Sequence, residues 1–217
     1  MSRQPFLKKI EKLHQNIMNM AKDVDSRIEQ TISALEKRDI EMAQEVSQGD
    51  NEIDTAEQKI ERFCMNLLAL QQPIASDLRL ITGCLKIITD MERIADQCED
   101  ICDMMLTEQI NLELGGVARI VEMLRTVQSM FRQAIDVFAD RNVENAVALC
   151  RQDDIVDEQF KDLIISSGEM IKSSKNGIMD EIHIMFIAKY VERMGDHVTN
   201  IAEWIIYIET GEHMDLN

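Results

Sequence analysis

A chain of 217 residues with 45 % hydrophobic content is long enough for one or two buried cores and belongs with globular rather than disordered proteins. With 2 Pro, 8 Gly and 4 % aromatics against 15 Met, little material exists for turns and β-sheet, so an all-α fold is expected. The net charge of −17 argues against nucleic acid as partner, because phosphate binding needs a concentrated basic face, and suits cations or basic protein surfaces.

The first element is a long amphipathic helix, read from apolar residues at helical spacing: Leu7, Ile10, Leu13, Ile17, Met20, Val24, Ile28, Ile32 and Leu35. Its opening, "MSRQPFLKKIEKLHQNI", has no signal-peptide apolar stretch, and nowhere do about eighteen apolar residues run together. A soluble, cytoplasmic protein without direct membrane insertion is expected. The helix stops near "EKRD", where Asp39 is placed to cap a second helix running to about Leu70. "QQPIASD", with Pro73, then turns the chain into a third helix that ends near Leu106.

The pattern restarts after "NLELGG", whose Gly115 and Gly116 mark a boundary between repeats 1–112 and 113–217. At a shift of 103, Val24, Ile28, Ile32 and Leu35 fall on Val127, Phe131, Ile135 and Phe138, and Arg38, Asp39 and Glu41 fall on Arg141, Asn142 and Glu144. Further on the shift drops to 100, which predicts a three-residue loss within "SSGEMIKSSKNG", followed by a last helix from about Ile178 to Thr210. The expected fold is six long helices in two tandem three-helix bundles.

Five cysteines without a CxxC fit a reducing compartment, and Cys98 and Cys102, four apart on a helix, are read as small buried residues rather than metal ligands. His14, His183 and His213 lack repeat partners and are read as surface or boundary residues. His197 follows Asp196 where the first copy has Gln97, and Trp204 is read as a packing residue.

The acidic residues carry more. "DMERIADQCEDIC" and "YVERMGDHVTNIAEW" stand 100 positions apart and match Glu92, Arg93 and Asp96 to Glu192, Arg193 and Asp196. Glu92 continues the stripe Ile81, Leu85, Ile88 where an apolar residue was due, and Asp96 and Asp100 follow at one-turn intervals. Glu192 likewise follows Met185 and Ala188, with Asp196 and Asn200 beyond it. The preceding helix has the series Ala43, Val46, Asp50, Ile53, Glu57, Ile60, and its copy has Ala146, Leu149, Asp153, Val156, Phe160, Leu163, with Asp54 and Asp157 at the edge.

Half-buried carboxylates on facing helices repel and cost several kcal/mol each unless protonated or paired with a cation. Oxygen ligands suit hard ions such as Mg²⁺, Mn²⁺, Ca²⁺ or Fe³⁺; zinc is also admitted, and the metal's identity stays open. The candidate ligands are Glu92, Asp96, Glu192 and Asp196 first, then Asp50, Asp54, Asp153 and Asp157, with Glu57, Asp100 and Asn200 beside them. A network of Arg93 and Arg193 with these acids is the alternative.

"SDLRLITGCLKIITDMERIADQCEDI" and "IAKYVERMGDHVTNIAEWIIYIETGE" resemble the signature helices of the PhoU family of phosphate uptake regulators, and the likeness covers nearly the whole chain. The resemblance implies two three-helix bundles related by a pseudo-twofold, with metal ions or clusters held by the ExxxD carboxylates. It also implies action with the phosphate ABC transporter and a membrane sensor kinase, damping the phosphate-starvation response when phosphate is ample. A homodimer is expected as well. Two departures stand out: Ala95 occupies the place of Gly195, and Asn200 lacks the charge of Asp100, so the first site is the more acidic.

A carboxylate-bridged di-iron oxidoreductase is the enzymatic alternative, but that site needs a Glu from each of two helices and an ExxH from each of two others. The single ExxH, Glu11 to His14, has no copy, and no hydrolytic triad or glycine-rich phosphate loop is present. The protein is therefore read as a non-enzyme. The remaining alternative is a metal-free helical adaptor.

Overall fold

The computed structural model describes residues 4–49, 51–71, 74–107, 115–173 and 177–212. Asp50, Pro73 and His213 lie outside them. The described residues form eight helical segments without strands: α1 (Gln4–Lys37), α2 (Ile40–Gln48), α3 (Asn51–Gln71), α4 (Ala75–Thr107), α5 (Gly115–Asp140), α6 (Val143–Cys150), α7 (Asp153–Ser173) and α8 (Ile178–Thr210). Each repeat is a bundle of three arms, the middle arm being α2 with α3 or α6 with α7.

The apolar stripe that forms α1 is buried as its period requires, with Leu13, Ile17, Val24, Ile28 and Ile32 at most 1 % exposed. Its end repeats in α5. Arg38 (φ 58°) and Arg141 (φ 56°) take the left-handed conformation just past the two helices. The Asp39 amide then donates to the Ala34 carbonyl at 2.9 Å, and the Arg141 amide to that of Val137 at 2.7 Å, closing the last turns. Asp39 accepts from the Met42 amide and Asn142 from the Asn145 amide, both at 3.1 Å, so the expected cap and its copy both form.

The single helix expected from Asp39 to about Leu70 is broken at Gly49, and its copy at 151–152. In the first repeat the Arg27 guanidinium of α1 captures the carbonyls of Val46 and Gly49, each at 2.7 Å, which stops the helix there. In the second, the side-chain amides of Gln133 and Gln152 pair at 2.9 and 3.2 Å beside the break.

The three-residue difference between the repeats lies at the start of α8 rather than in "SSGEMIKSSKNG", most of which is helical in α7. α4 begins 17 residues before Glu92, at Ala75, whereas α8 begins 14 residues before Glu192, at Ile178. A helix end, like a connection between helices, tolerates a change of length more readily than a stretch in mid-helix.

The halves join through α4 against α8 and α1 against α5, while α2 and α3 flank α4 and α6 and α7 flank α8. Both central pairs run antiparallel. His197 meets Asp90 while Ile208 meets Gly83, and Arg125 meets Glu36 while Arg132 meets Asp25. One continuous apolar core spans both repeats. All five cysteines are free and buried in it, and burial pushes the Cys98 and Cys102 thiols up to about 12, so they pack as neutral groups.

Candidate metal centres

Helix α4 carries Glu92 off the end of a core-facing stripe whose Ile81 and Ile88 are buried, and Asp96 stands one turn later on the same face. Helix α3 lies alongside and presents Asp54 in its first turn. One oxygen from each of Asp54, Glu92 and Asp96 lies within 4.8 Å of the others, the single such convergence of three potential ligands among the described residues. Glu57, one turn beyond Asp54, accepts from the Thr89 hydroxyl at 3.3 Å. Asp100 is at the exposed edge.

The electrostatics are those of a site short of positive charge. Burial, then Asp96, pushes the Glu92 carboxyl up to about 7, against the pull of Arg93. Burial also raises Glu57, with Glu61 and Asp54 adding and Thr89 opposing. Asp100 is raised by burial and by Asp96 and Asp103, while Arg193 from the other repeat acts against them. Arg93 reaches Asp96 at 2.7 Å and Glu92 at 3.3 Å, yet it is about half exposed and is one cation set against Glu57, Glu92 and Asp96. Asp54 Oδ1 and Glu92 Oε2 are buried without a hydrogen-bond partner among the described residues. Hard oxygen donors, surplus negative charge, an Asp54 oxygen without a hydrogen bond and a Glu92 oxygen held only by the ion pair with Arg93 fit a divalent or trivalent cation.

In the second repeat, Asp153, Asp157, Glu192 and Asp196 line one open groove with Arg151, Arg193, His197 and Asn200. Burial, then Asp196, Asp157 and Glu192, pushes Asp153 up to about 6, with the Thr199 hydroxyl opposing. Asp196 is raised by burial and Glu192, and Lys189 works against this. Lys189 Nζ pairs with Glu192. Asn200 donates to Asp90 at 3.3 Å, and His197 Nδ1 donates to the same oxygen at 2.9 Å, so both tie α8 to α4.

Sequence reasoning brought the two ExxxD pairs to their places and missed the neighbours that modulate them: Arg27, Thr89, Lys189 and Asp90. Arg27 alone had a readable signal, a cation inside the stripe from Val24 to Ile28. His14 stacks on Phe138 with ring centres 5.0 Å apart, in a cleft lined by Leu80, Cys84, Arg141 and a single carboxylate, Glu209, fewer than a di-iron site would require. Trp204 is half-buried against the core and meets Tyr207 edge-on, which is a packing role.

Fold and site define a class of duplicated all-α bundles in which paired ExxxD helices face a second acidic helix. The chain belongs to the PhoU family: the PhoU domain matches residues 17–105 and 120–205. It is 34 % identical over 218 residues, all of both chains, to the phosphate-specific transport system accessory protein PhoU homolog of Clostridium acetobutylicum. It is 28 % identical to the phosphate-specific transport system accessory protein PhoU of Escherichia coli, over 95 % of this chain and 86 % of that one. The crystal structure of PhoU from Pseudomonas aeruginosa superposes with a TM-score of 0.89 at 29 % identity, covering 95 % of this chain and 100 % of that one. The phosphate transport system regulatory protein PhoU from Streptococcus pneumoniae gives 0.90 at 26 % identity, with 97 % and 99 % covered. No described helix is long and apolar enough to cross a membrane.

Proposed function

We propose that this chain is a metal-binding accessory regulator of phosphate transport, restraining uptake and the phosphate-starvation response when phosphate is plentiful. The observation that supports the metal is the convergence of Asp54, Glu92 and Asp96 with two oxygens left without hydrogen bonds. The phosphate role is supported by kinship with proteins named for the phosphate transport system. Its partners are the phosphate ABC transporter and the membrane sensor kinase. A chain of net charge −17 is repelled by anionic lipid, so it reaches a membrane complex by docking acidic faces on a basic protein patch. Such docking weakens as salt screens it over about 8 Å at physiological ionic strength. Metal held between the helices removes part of the negative charge and tunes the contact.

Two experiments test this. Protein purified without chelator or nickel should contain metal, and Glu92→Ala with Asp96→Ala should remove the first site while sparing the second. Deletion in the native bacterium should switch on phosphate-starvation genes in phosphate-rich medium, and the intact gene should restore repression. Normal repression in the deletion strain, without a second gene copy, would remove the regulatory role. Arg93 bridging Glu92 and Asp96 favours a second reading, a metal-free helical adaptor, and unchanged metal stoichiometry in the double variant would select it.

A further inference from the structure

Arg27 sits on α1 between Val24 and Ile28, in the buried stripe, with only 9 % of its surface exposed. A buried guanidinium is tolerated only where its donors and charge are met. Here Nη1 donates to the Val46 carbonyl and Nη2 to that of Gly49, both at 2.7 Å, and Nη1 lies 4.0 Å from Glu99 on α4. Gly49 makes room for it: a β-carbon there would stand 2.8 Å from Nη1, 3.0 Å from Nη2 and 2.7 Å from the Glu45 carbonyl. One side chain thereby joins α1, the turn that launches α3, and α4. α3 starts two residues beyond Gly49 with Asp54 in its first turn, and Glu99 is two turns along α4 from Glu92.

The second repeat supplies a comparison within one molecule. At the repeat shifts, Arg27, Gly49 and Glu99 become Met130, Gln152 and Thr199. A neutral amide pair, Gln133 with Gln152, replaces the charged latch. In that repeat no three ligand atoms of the acidic groove converge within the 4.8 Å reached by Asp54, Glu92 and Asp96. The latch and the tight cluster occur together. We propose that Arg27 is a positioning residue for the first metal site, setting the start of α3 against α4 so that Asp54 meets Glu92 and Asp96, and thereby making the two sites unequal. This rests on the metal reading above.

The test uses Mn²⁺ as probe on the full chain, following free ion by electron paramagnetic resonance. A background of Glu192→Gln with Asp196→Asn leaves the first site to report, and Glu92→Gln with Asp96→Asn leaves the second. Arg27→Met should weaken Mn²⁺ binding about ten-fold or more in the first background and less than about twofold in the second, the range seen when groups orienting metal ligands are removed. Arg27→Lys, which keeps the charge but not the two-pronged grip, should fall between. Equal losses in both backgrounds, or none in the first, would overturn the proposal while leaving the metal reading intact. No Mn²⁺ binding in either background would overturn the metal reading and this proposal with it. If circular dichroism shows Arg27→Met unfolded, Gly49→Ala decides, since it crowds the same guanidinium: loss confined to the first site supports the latch, and unchanged binding overturns it.

Discussion

Asp153 Oδ1 lies 3.1 Å from the place a β-carbon on Gly195 would occupy, with Val156 Cγ1 at 3.3 Å from the same point. The glycine in the second ExxxD motif thus gives the Asp153 carboxylate its room beside α8, at a position where the first repeat carries the buried methyl of Ala95.

Gly195→Ala should therefore weaken metal binding at the second site and leave the first unchanged. Stability should move by less than about 1 kcal/mol, because the helix propensity gained by alanine offsets the crowding. Metal titration paired with urea unfolding checks both. Unaltered second-site binding would remove Asp153 from the ligand set.

The metal-free protein should become more stable as pH falls from about 8 towards 6, contrary to the usual behaviour of paired carboxylates. The folded state holds Glu92 up at about 7 and Asp153 at about 6, above their ordinary values, chiefly by burial. Their charged forms are thus penalised by folding. The folded chain binds these protons more tightly than the unfolded chain, so the penalty is complete above the raised values and gone below the ordinary ones. Thermal unfolding in chelator across this range reads the trend. Metal reverses it, since the ion must displace those protons and binds less well as pH falls.

Gly83→Ala should destabilise by about 1–3 kcal/mol, the usual cost of overpacking. A β-carbon there would stand 2.4 Å from Cγ1 and 2.6 Å from Cδ1 of Ile208, which packs across from α8. Shortening the neighbour with Ile208→Ala in the same chain should recover part of the loss. Additive losses in the double variant would show that the two positions do not touch.

Arg141→Gly should stabilise the fold by roughly 0.5 kcal/mol. It relieves a left-handed residue, worth about 1 kcal/mol, and forgoes an exposed ion pair worth less. That pair, with Glu209 at 3.7 Å, is loose. Chemical unfolding of the single variant measures the balance, and a loss of stability would mean that the Glu209 contact outweighs the backbone relief.

The three-arm repeat was legible because apolar period, caps and left-handed corners are local. The cap reading at Asp39 and the last helix from Ile178 to Thr210 both hold in the structure. The break at Gly49 was not legible, since a glycine within a helical pattern is often tolerated and the group that stops the helix, Arg27, lies 19 to 22 residues away. General expectation puts the three lost residues in a loop, while the chain takes them from the start of α8.

The sequence by itself determined which residues share a helix face. The spacing of Glu92 to Asp96, and of Glu192 to Asp196, puts each pair one turn apart whatever surrounds it, and the repeat at 100 positions makes two such pairs. Only the tertiary structure decided which pair gathers a third carboxylate. Asp54 converges with Glu92 and Asp96, whereas Lys189 draws on Glu192 and Asn200 turns to Asp90. The reason is that distances between helices depend on their relative slide and on the side chains wedged between them, such as Arg27, while periodicity along one helix carries no record of its neighbour's position.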